Sequence, residues 1–311
     1  MTHQPTSHRL HLPDADVYYE VRGSGPLLLV IGQPMTSGPF GPLADALADE
    51  HTVITYDPRG VGRSSVADRA EDVTPELEAD DLAAIVEAVG GGPADVFGSS
   101  GGAVAALALA VRHPGSVGTV IAHEPPLPEL LPDAAHVRAA IDDVVARYGA
   151  AGSGAAWGGF VSLVMHDGPV GPDGVPPVSW PGTPAATAEH DAGAPHDGGP
   201  DAGPDTGHDA GPETSGDGAA GDPAADDEVF FLRMLRPFTR WTAPVDALRA
   251  RGGVVVAVGE ASRQEVAARS AEALASELGV TPVRFPGDHG GFMADPAGFA
   301  AAIRGLRART A

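Results

Sequence analysis

Short, unbroken apolar runs separated by amphipathic stretches constrain this chain more than any other feature. "PLLLVIG", "HTVITYD", "ADVFG" and "SVGTVIAHE" are short and bounded by turn residues. That is the pattern of strands buried on both faces of a parallel sheet. Between them, "FGPLADALADE" puts Leu43, Ala46 and Leu47 on one stripe, and "PELEADDLAAIVEAVG" is an amphipathic segment stopped by glycines. "AVAALALAVRH" reads as a further helix. Parallel neighbours need crossover connections, so this alternation predicts an α/β fold with helices packed on a mainly parallel sheet. Ahead of it, "HRLHL" and "DVYYEVRG", joined through Pro13, Asp14 and Ala15, read as a hairpin.

The alternation stops near Pro125 and resumes at "GGVVVAVGE", followed by the helix "RQEVAARSAEALASELG", the strand "TPVRFPG" and a helix near "PAGFAAAIRGLRA". The expected organisation is therefore a core of residues 1–127 and 243–311 interrupted by a lid insertion, residues 128–242. "PDAAHVRAAIDDVVARYG", with Ile141, Val144 and Val145 facing inward, and "DEVFFLRMLRPFTRW" are the expected lid helices. Residues 167–227 are rich in Gly, Pro, Asp and Ala and are predicted to be disordered, because such a composition buries too little apolar surface. The His/Asp pairs at His190, His196 and His208 are expected to be solvated rather than metal-bound, since closing a site in a flexible chain costs entropy.

Composition excludes several function classes. The chain has no cysteine, which removes disulfides, thiolate metal sites and cysteine nucleophiles. Its formal net charge of −23 argues against a nucleic-acid partner, although much of that charge lies in the low-complexity stretch. The start lacks a basic segment followed by an apolar run, and no stretch is apolar enough to span a membrane, so a soluble cytoplasmic protein is expected. No cofactor is called for, and the oligomeric state is not legible.

The chemistry concentrates in "VFGSSGGAV", residues 96–104. Only Gly98, Ser100 and Gly102 satisfy the G-x-S-x-G pattern, in which glycines relieve crowding where a strand turns sharply into a helix around a strained serine. Ser100 is thus the candidate nucleophile and Ser99 its bystander. A serine hydroxyl needs a general base. His289, in the glycine-flanked "FPGDHGGF" after the last strand, is the best placed histidine, whereas His113 closes a helix and His3, His8 and His11 lie near the start.

"GSSGG", "YDPRGVGRSS", "IGQP" and "DHGGF" together resemble the α/β-hydrolase family over roughly residues 10–127 and 243–311. The resemblance implies an eight-stranded sheet, a Ser…acid…His order and an oxyanion hole of two backbone N–H groups. One would belong to Gly101. The other would come from the loop after "LLLVIG", where Gly32 supplies the turn and Pro34 has no N–H, leaving Gln33. The acid departs from the commonest family pattern. The usual aspartate position after the penultimate strand holds Ser262, with Glu260 two residues earlier. The family's other solution is a glutamate directly after the strand that follows the nucleophile helix, and Glu124 in "VIAHEPPL" occupies that place. Glu124 is the first choice and Glu260 the second. Asp57 reads as the anchor of the "DPRG" turn. The serine elbow combined with "HE-x-P" is also similar to lactone hydrolases that open zearalenone-type macrolactones. Haloalkane dehalogenases and epoxide hydrolases need an aspartate where Ser100 stands.

The expected function is hydrolysis of a small-molecule carboxylic ester or lactone by Ser100, His289 and Glu124, with Trp157, Phe160 and Trp241 as candidate pocket lining or as lid-docking aromatics. The alternatives are C–C bond hydrolysis or perhydrolysis by the same residues, or a non-catalytic binding protein.

Overall fold

The computed structural model describes residues 3–176 and 221–310. Apolar side chains on both faces of the central strands demand cover on both sides, and the chain supplies it by alternation. In order, the elements begin with β1 (Thr6–His11), β2 (Ala15–Gly23), β3 (Leu27–Ile31), α1 (Gly41–Leu47), β4 (Thr52–Tyr56), β5 (Ser65–Val66) and α2 (Pro75–Val89). They continue with β6 (Ala94–Ser99), α3 (Gly101–Arg112), β7 (Val117–His123), α4 (Ala134–Ala151), α5 (Ser153–Val164), α6 (Pro223–Val229) and α7 (Leu235–Thr239). Last come α8 (Val245–Arg251), β8 (Val254–Gly259), α9 (Val266–Leu278), β9 (Val283–Phe285), α10 (Gly291–Ala294) and α11 (Pro296–Thr310).

Eight strands run in the order β1-β2-β4-β3-β6-β7-β8-β9, and the two-residue β5 pairs with β2 at the side. From β4 through β9 every pairing along that path is parallel, whereas β2 is antiparallel to β1, β4 and β5. The predicted hairpin and mostly parallel eight-stranded order are both present. The apolar strands β3 and β4 are buried almost throughout, as their lack of alternation requires. One face packs on α2, α3 and α9; the other packs on α1, α10 and α11 around Phe40, Phe97, Phe285, Phe292 and Phe299.

The segment between β7 and α8 differs from expectation in detail. Besides α4 it contains α5, which "SGAAWGGFVSLV" forms with few strong signals in its glycine- and alanine-rich sequence. The second expected helix is broken: α6 passes through one π-helical turn, Phe230–Met234, into α7. Of the segment predicted to be disordered, residues 177–220 lie outside the described residues, as do His190, His196 and His208. Its flanks carry structure: Gly171 bridges Gly174, Val170 is buried, and Pro223–Val229 is helical. The segment is clasped to the sheet-bearing part by Gly62 N–H donating to Asp226 (2.9 Å), Val73 N–H to Arg233 O (3.0 Å) and Trp241 Nε1 to Glu76 (2.8 Å). No helix among the described residues is long and apolar enough to cross a membrane.

Phe299 of α11 is fully buried, with ring centroids 5.2 Å from Phe285, 5.4 Å from His123 and 6.0 Å from Phe97. Phe299→Ala leaves a cavity against the strand ends and should cost about 3–5 kcal/mol. Urea denaturation followed by circular dichroism measures this; a loss below about 1 kcal/mol would mean that α11 collapses onto the gap.

Candidate active site

Close approach of backbones builds the turn at Ser100. A Cβ on Gly98 would lie 2.4 Å from Gly102 O, and a Cβ on Gly102 would lie 2.5 Å from Gly32 Cα and from Ile31 O. Nothing larger than glycine fits where β6, α3 and the end of β3 converge. Between these glycines, Ser100 takes φ 55° and ψ −125°, a conformation that L-residues with a side chain rarely adopt. Ser100 lines a cavity at the carboxyl ends of the strands, where open α/β sheets collect ligands. Ser99 points elsewhere: it is buried, and its Oγ is hydrogen-bonded to His123 Nδ1 (2.9 Å).

Among the described residues, the second non-glycine residue with positive φ is Glu124, at 46°. It directly follows β7, and its N–H donates to Ala257 O of β8 (3.0 Å). The turn aims its carboxylate across the sheet edge. Oε1 accepts the N–H of Gly259 (2.9 Å), and Oε2 is 2.7 Å from His289 Nδ1. Burial alone would raise the Glu124 pKa, but the hydrogen bond and charge of His289, helped by His123 and the Ser262 hydroxyl, outweigh it. The carboxyl is held down at about 2. His289 stands in the loop between β9 and α10 and lines the same cavity as Ser100, Gln33 and Gly101. Of the two candidate acids, therefore, Glu124 meets His289, whereas Glu260 is exposed.

Gln33 follows β3 by two residues and is 3% exposed. Its backbone lies against Gly101, where a Cβ would come within 2.8 Å of Gln33 O. Gly101 opens α3, so its N–H has no partner within the helix, and the residue lines the cavity. His123, beside Glu124, is packed against Phe299 and stacked on Phe97, with its ring centroid 6.2 Å from that of His289. Burial, followed by the opposing influence of Glu124, leaves its pKa lowered to about 4, so the ring is neutral at pH 7. Asp57 anchors its turn as expected: Oδ1 accepts from the N–H and hydroxyl of Ser37, and Oδ2 from the N–H and Nε of Arg63, each at 2.9 Å.

The cavity around Ser100 and His289 is open to solvent at its mouth. Its lining comes from Pro126 and Pro128 after β7, Val137 and Ile141 of α4, Phe160, Leu163 and Val164 of α5, the π-turn residues Phe230 and Met234, and Phe238 of α7. Among its described lining residues none is Asp, Glu, Lys or Arg. Phe160 lines it as expected, but Trp157 and Trp241 do not. Trp157 stacks on Phe230 and donates to Asp227 (2.9 Å), and Trp241 bonds Glu76, so both hold the helical segment together or in place. Phe230 and Phe238 went unnoticed in the sequence because their stretch reads as an ordinary amphipathic helix; the π turn changes which side chains face the cavity. No cluster of three or more His, Cys, Asp or Glu suited to a metal occurs among the described residues.

Comparison with known proteins agrees with this architecture. A family model described as alpha/beta hydrolase fold matches residues 25–156. The chain is similar to an uncharacterized hydrolase, YraK, of Bacillus subtilis (strain 168), with 43% identity over 123 residues covering 39% of this chain and 45% of that protein. The chain thus matches less than half the length of that relative. A thermophilic esterase from Thermogutta terrifontis superposes over 98% of both chains with a TM-score of 0.64 and 19% identity. An E-2-(acetamidomethylene)succinate hydrolase does so over 97% of this chain and 98% of that one, with a TM-score of 0.57 and 20% identity. At such identities the two solved structures speak for the fold, which is the α/β-hydrolase fold expected from the sequence. These relatives lend no support to the narrower similarity with zearalenone-type lactone hydrolases.

The depressed pKa of Glu124 makes a statement about stability. Its folded value, about 2, lies below the ordinary 4.5, so its contribution is fully present above that ordinary value and is lost as pH falls through the folded one. Glu124→Gln removes this titration. Its urea midpoint should fall less steeply than that of the wild type on acidification from pH 4.5 toward 2. Equal slopes would mean that the carboxylate is not held as the geometry implies.

Proposed function

We propose that this chain, an α/β hydrolase by fold, cleaves a neutral, largely apolar carboxylic ester or lactone through an acyl-enzyme on Ser100. The observation that carries this reading is the cavity itself. Ser100, on a strained turn, shares it with His289, and His289 is bonded from behind to the buried Glu124. A hydroxyl needs a base to become nucleophilic, and an imidazole needs a fixed tautomer to act as one. Glu124 accepting at Nδ1 leaves Nε2 to take the proton from Ser100.

Oγ of Ser100 attacks the carbonyl carbon, and the N–H groups of Gln33 and Gly101 receive the oxyanion. As the tetrahedral intermediate collapses, the carbon–oxygen bond to the leaving group breaks and His289 delivers its proton to the departing alkoxide. Water, deprotonated by the same imidazole, then attacks the acyl-enzyme, and Ser100 regains its proton as the acid leaves. Glu124 stays ionised throughout, stabilising the imidazolium. The helices α4 to α7 act as the lid that covers the apolar group of the substrate. The reaction class is further supported by the names of the relatives, a hydrolase and an esterase among them. The uncharged lining supports a neutral substrate, because burying an unpaired charge there is costly.

Chromogenic esters of graded acyl length, together with a fluorophosphonate probe, test the reading. Ser100→Ala should abolish turnover and labelling, while Ser99→Ala keeps most of both; comparable activity in the Ser100→Ala protein would sink the proposal. Glu124→Gln should lower kcat by about three to four orders of magnitude, whereas Glu260→Gln costs little. Within the substrate series, neutral alkyl esters should be cleaved faster than dicarboxylate monoesters of equal size. The reverse order would place charge recognition in the cavity and contradict its lining.

A further inference from the structure

Glu78 and Asp81 are, respectively, 0% and 1% exposed, although both sit on α2, whose sequence reads as a half-solvated helix. Asp81 has an evident partner in the Arg59 guanidinium, at 2.9 Å from Nε and 2.6 Å from Nη2, and that guanidinium also reaches Asp14 (2.7 Å). Among the described residues no guanidinium or imidazole bonds Glu78. Its Oε1 accepts the backbone N–H of Arg59 (3.0 Å), while its Oε2 accepts from the Tyr56 hydroxyl and from Gln33 Nε2 (3.1 Å). Gln33 Nε2 also donates to the Tyr56 hydroxyl. Three buried groups from β4, α2 and the loop after β3 therefore close a ring of hydrogen bonds. Gln33 is the residue whose backbone packs against Gly101.

We propose that Glu78 and Tyr56 are positioning residues for the oxyanion-binding loop, holding the Gln33 backbone in place through the Gln33 side chain. The inference rests on the reading of Gln33 as an oxyanion donor. A backbone N–H stabilises a developing oxyanion only when it is fixed before the charge appears. Gln33 lies in a loop rather than in a strand, so its side-chain anchor supplies the rigidity. The ring depends on charge state. Burial, and then the Asp81 charge, push the Glu78 pKa up to about 7, against the donors from Tyr56, Gln33 and Arg59. Burial and the Glu78 charge raise the Tyr56 hydroxyl well above its usual range, so it remains a donor. Among the described residues, Arg59, Asp81, Asp14 and Asp57 are the other charged groups that act on the ring and its partners. A proton arriving on Glu78 turns an acceptor into a donor facing other donors, and the anchor on Gln33 loosens.

The test uses the full-length protein and a chromogenic ester. Glu78→Gln and Tyr56→Phe should each lower kcat roughly tenfold with KM unchanged, less than the loss from deleting an oxyanion donor outright. The ratio of wild-type to Glu78→Gln kcat should be about ten above the Glu78 pKa of about 7 and approach one below it, where the wild type has lost the same carboxylate. Thermal melts identify a variant that fails to fold, and the other variant then decides. The positioning inference is overturned by a wild-type to Glu78→Gln kcat ratio that does not change with pH, by wild-type kcat in both folded variants, or by a loss confined to KM. If Ser100→Ala retains turnover, the reading of the site itself has failed; if Ser100→Ala is inactive and Glu78→Gln matches the wild type, only the positioning role has.

Discussion

A carboxylate only 1% exposed must find donors, and Glu124 finds them on two segments far apart in sequence. One oxygen accepts from Gly259 at the end of β8, the other from His289 after β9. Three consecutive ends of the parallel sheet are thereby tied through a single side chain. If Glu124 turned away, a buried N–H would lose its partner and the His289 loop its tether. The positive φ at Glu124 is what aims the carboxylate along the sheet edge, so local strain and long-range order are two sides of one arrangement.

The strain at Ser100 has a different origin. There the constraint is steric: Gly98, Gly102 and Gly32 let three backbone segments approach so closely that no Cβ can intervene. That convergence raises the serine to the cavity floor and brings the Gln33 loop against the first residue of α3. Glu124 and Ser100 leave adjacent parallel strands, since β6 and β7 pair with Ser99 opposite His123. Sheet register therefore sets the spacing of the constellation before any side chain is chosen. Ser99 and His123, the residues immediately before them, bond each other on the opposite side and lock that register in an aromatic surround.

The sheet was legible because a strand buried on both faces leaves an unbroken apolar run, as in Leu27–Ile31, which few other environments tolerate. The elbow was legible because its glycines answer to sterics that act over five residues. The acid was legible only as an order of preference: its place directly after β7 put Glu124 ahead of Glu260, while nothing in the one-dimensional pattern shows that one carboxylate is buried and the other solvated. The aromatic lining was legible only at Phe160: the π turn at Phe230–Met234 shifts helical phase, and periodicity is read on the assumption of constant phase. Glu78 and Asp81 escaped notice although they carry a signal. They share a helical face with Leu82 and Ile85, and two acids on an apolar stripe require buried partners.

Two buried glutamates thus stand on either side of the serine elbow with opposite fates. Glu124 accepts from a histidine that can carry positive charge, and its pKa sinks to about 2; Glu78 accepts from the neutral donors of Tyr56, Gln33 and the Arg59 backbone, close to the Asp81 charge, and its pKa rises to about 7. Burial penalises both carboxylates, so the difference lies in the charge of the partners. The two act oppositely on stability. The contribution of Glu124 is lost in strong acid, while the cost of ionising Glu78 grows as pH rises from the ordinary carboxylate range toward neutrality. At neutral pH, close to that pKa, the folded state holds the group partly as a carboxylate although the protonated acid is easier to bury. The carboxylate form is an acceptor that Tyr56 and Gln33 both donate to, which is what the proposed anchoring of the Gln33 loop requires.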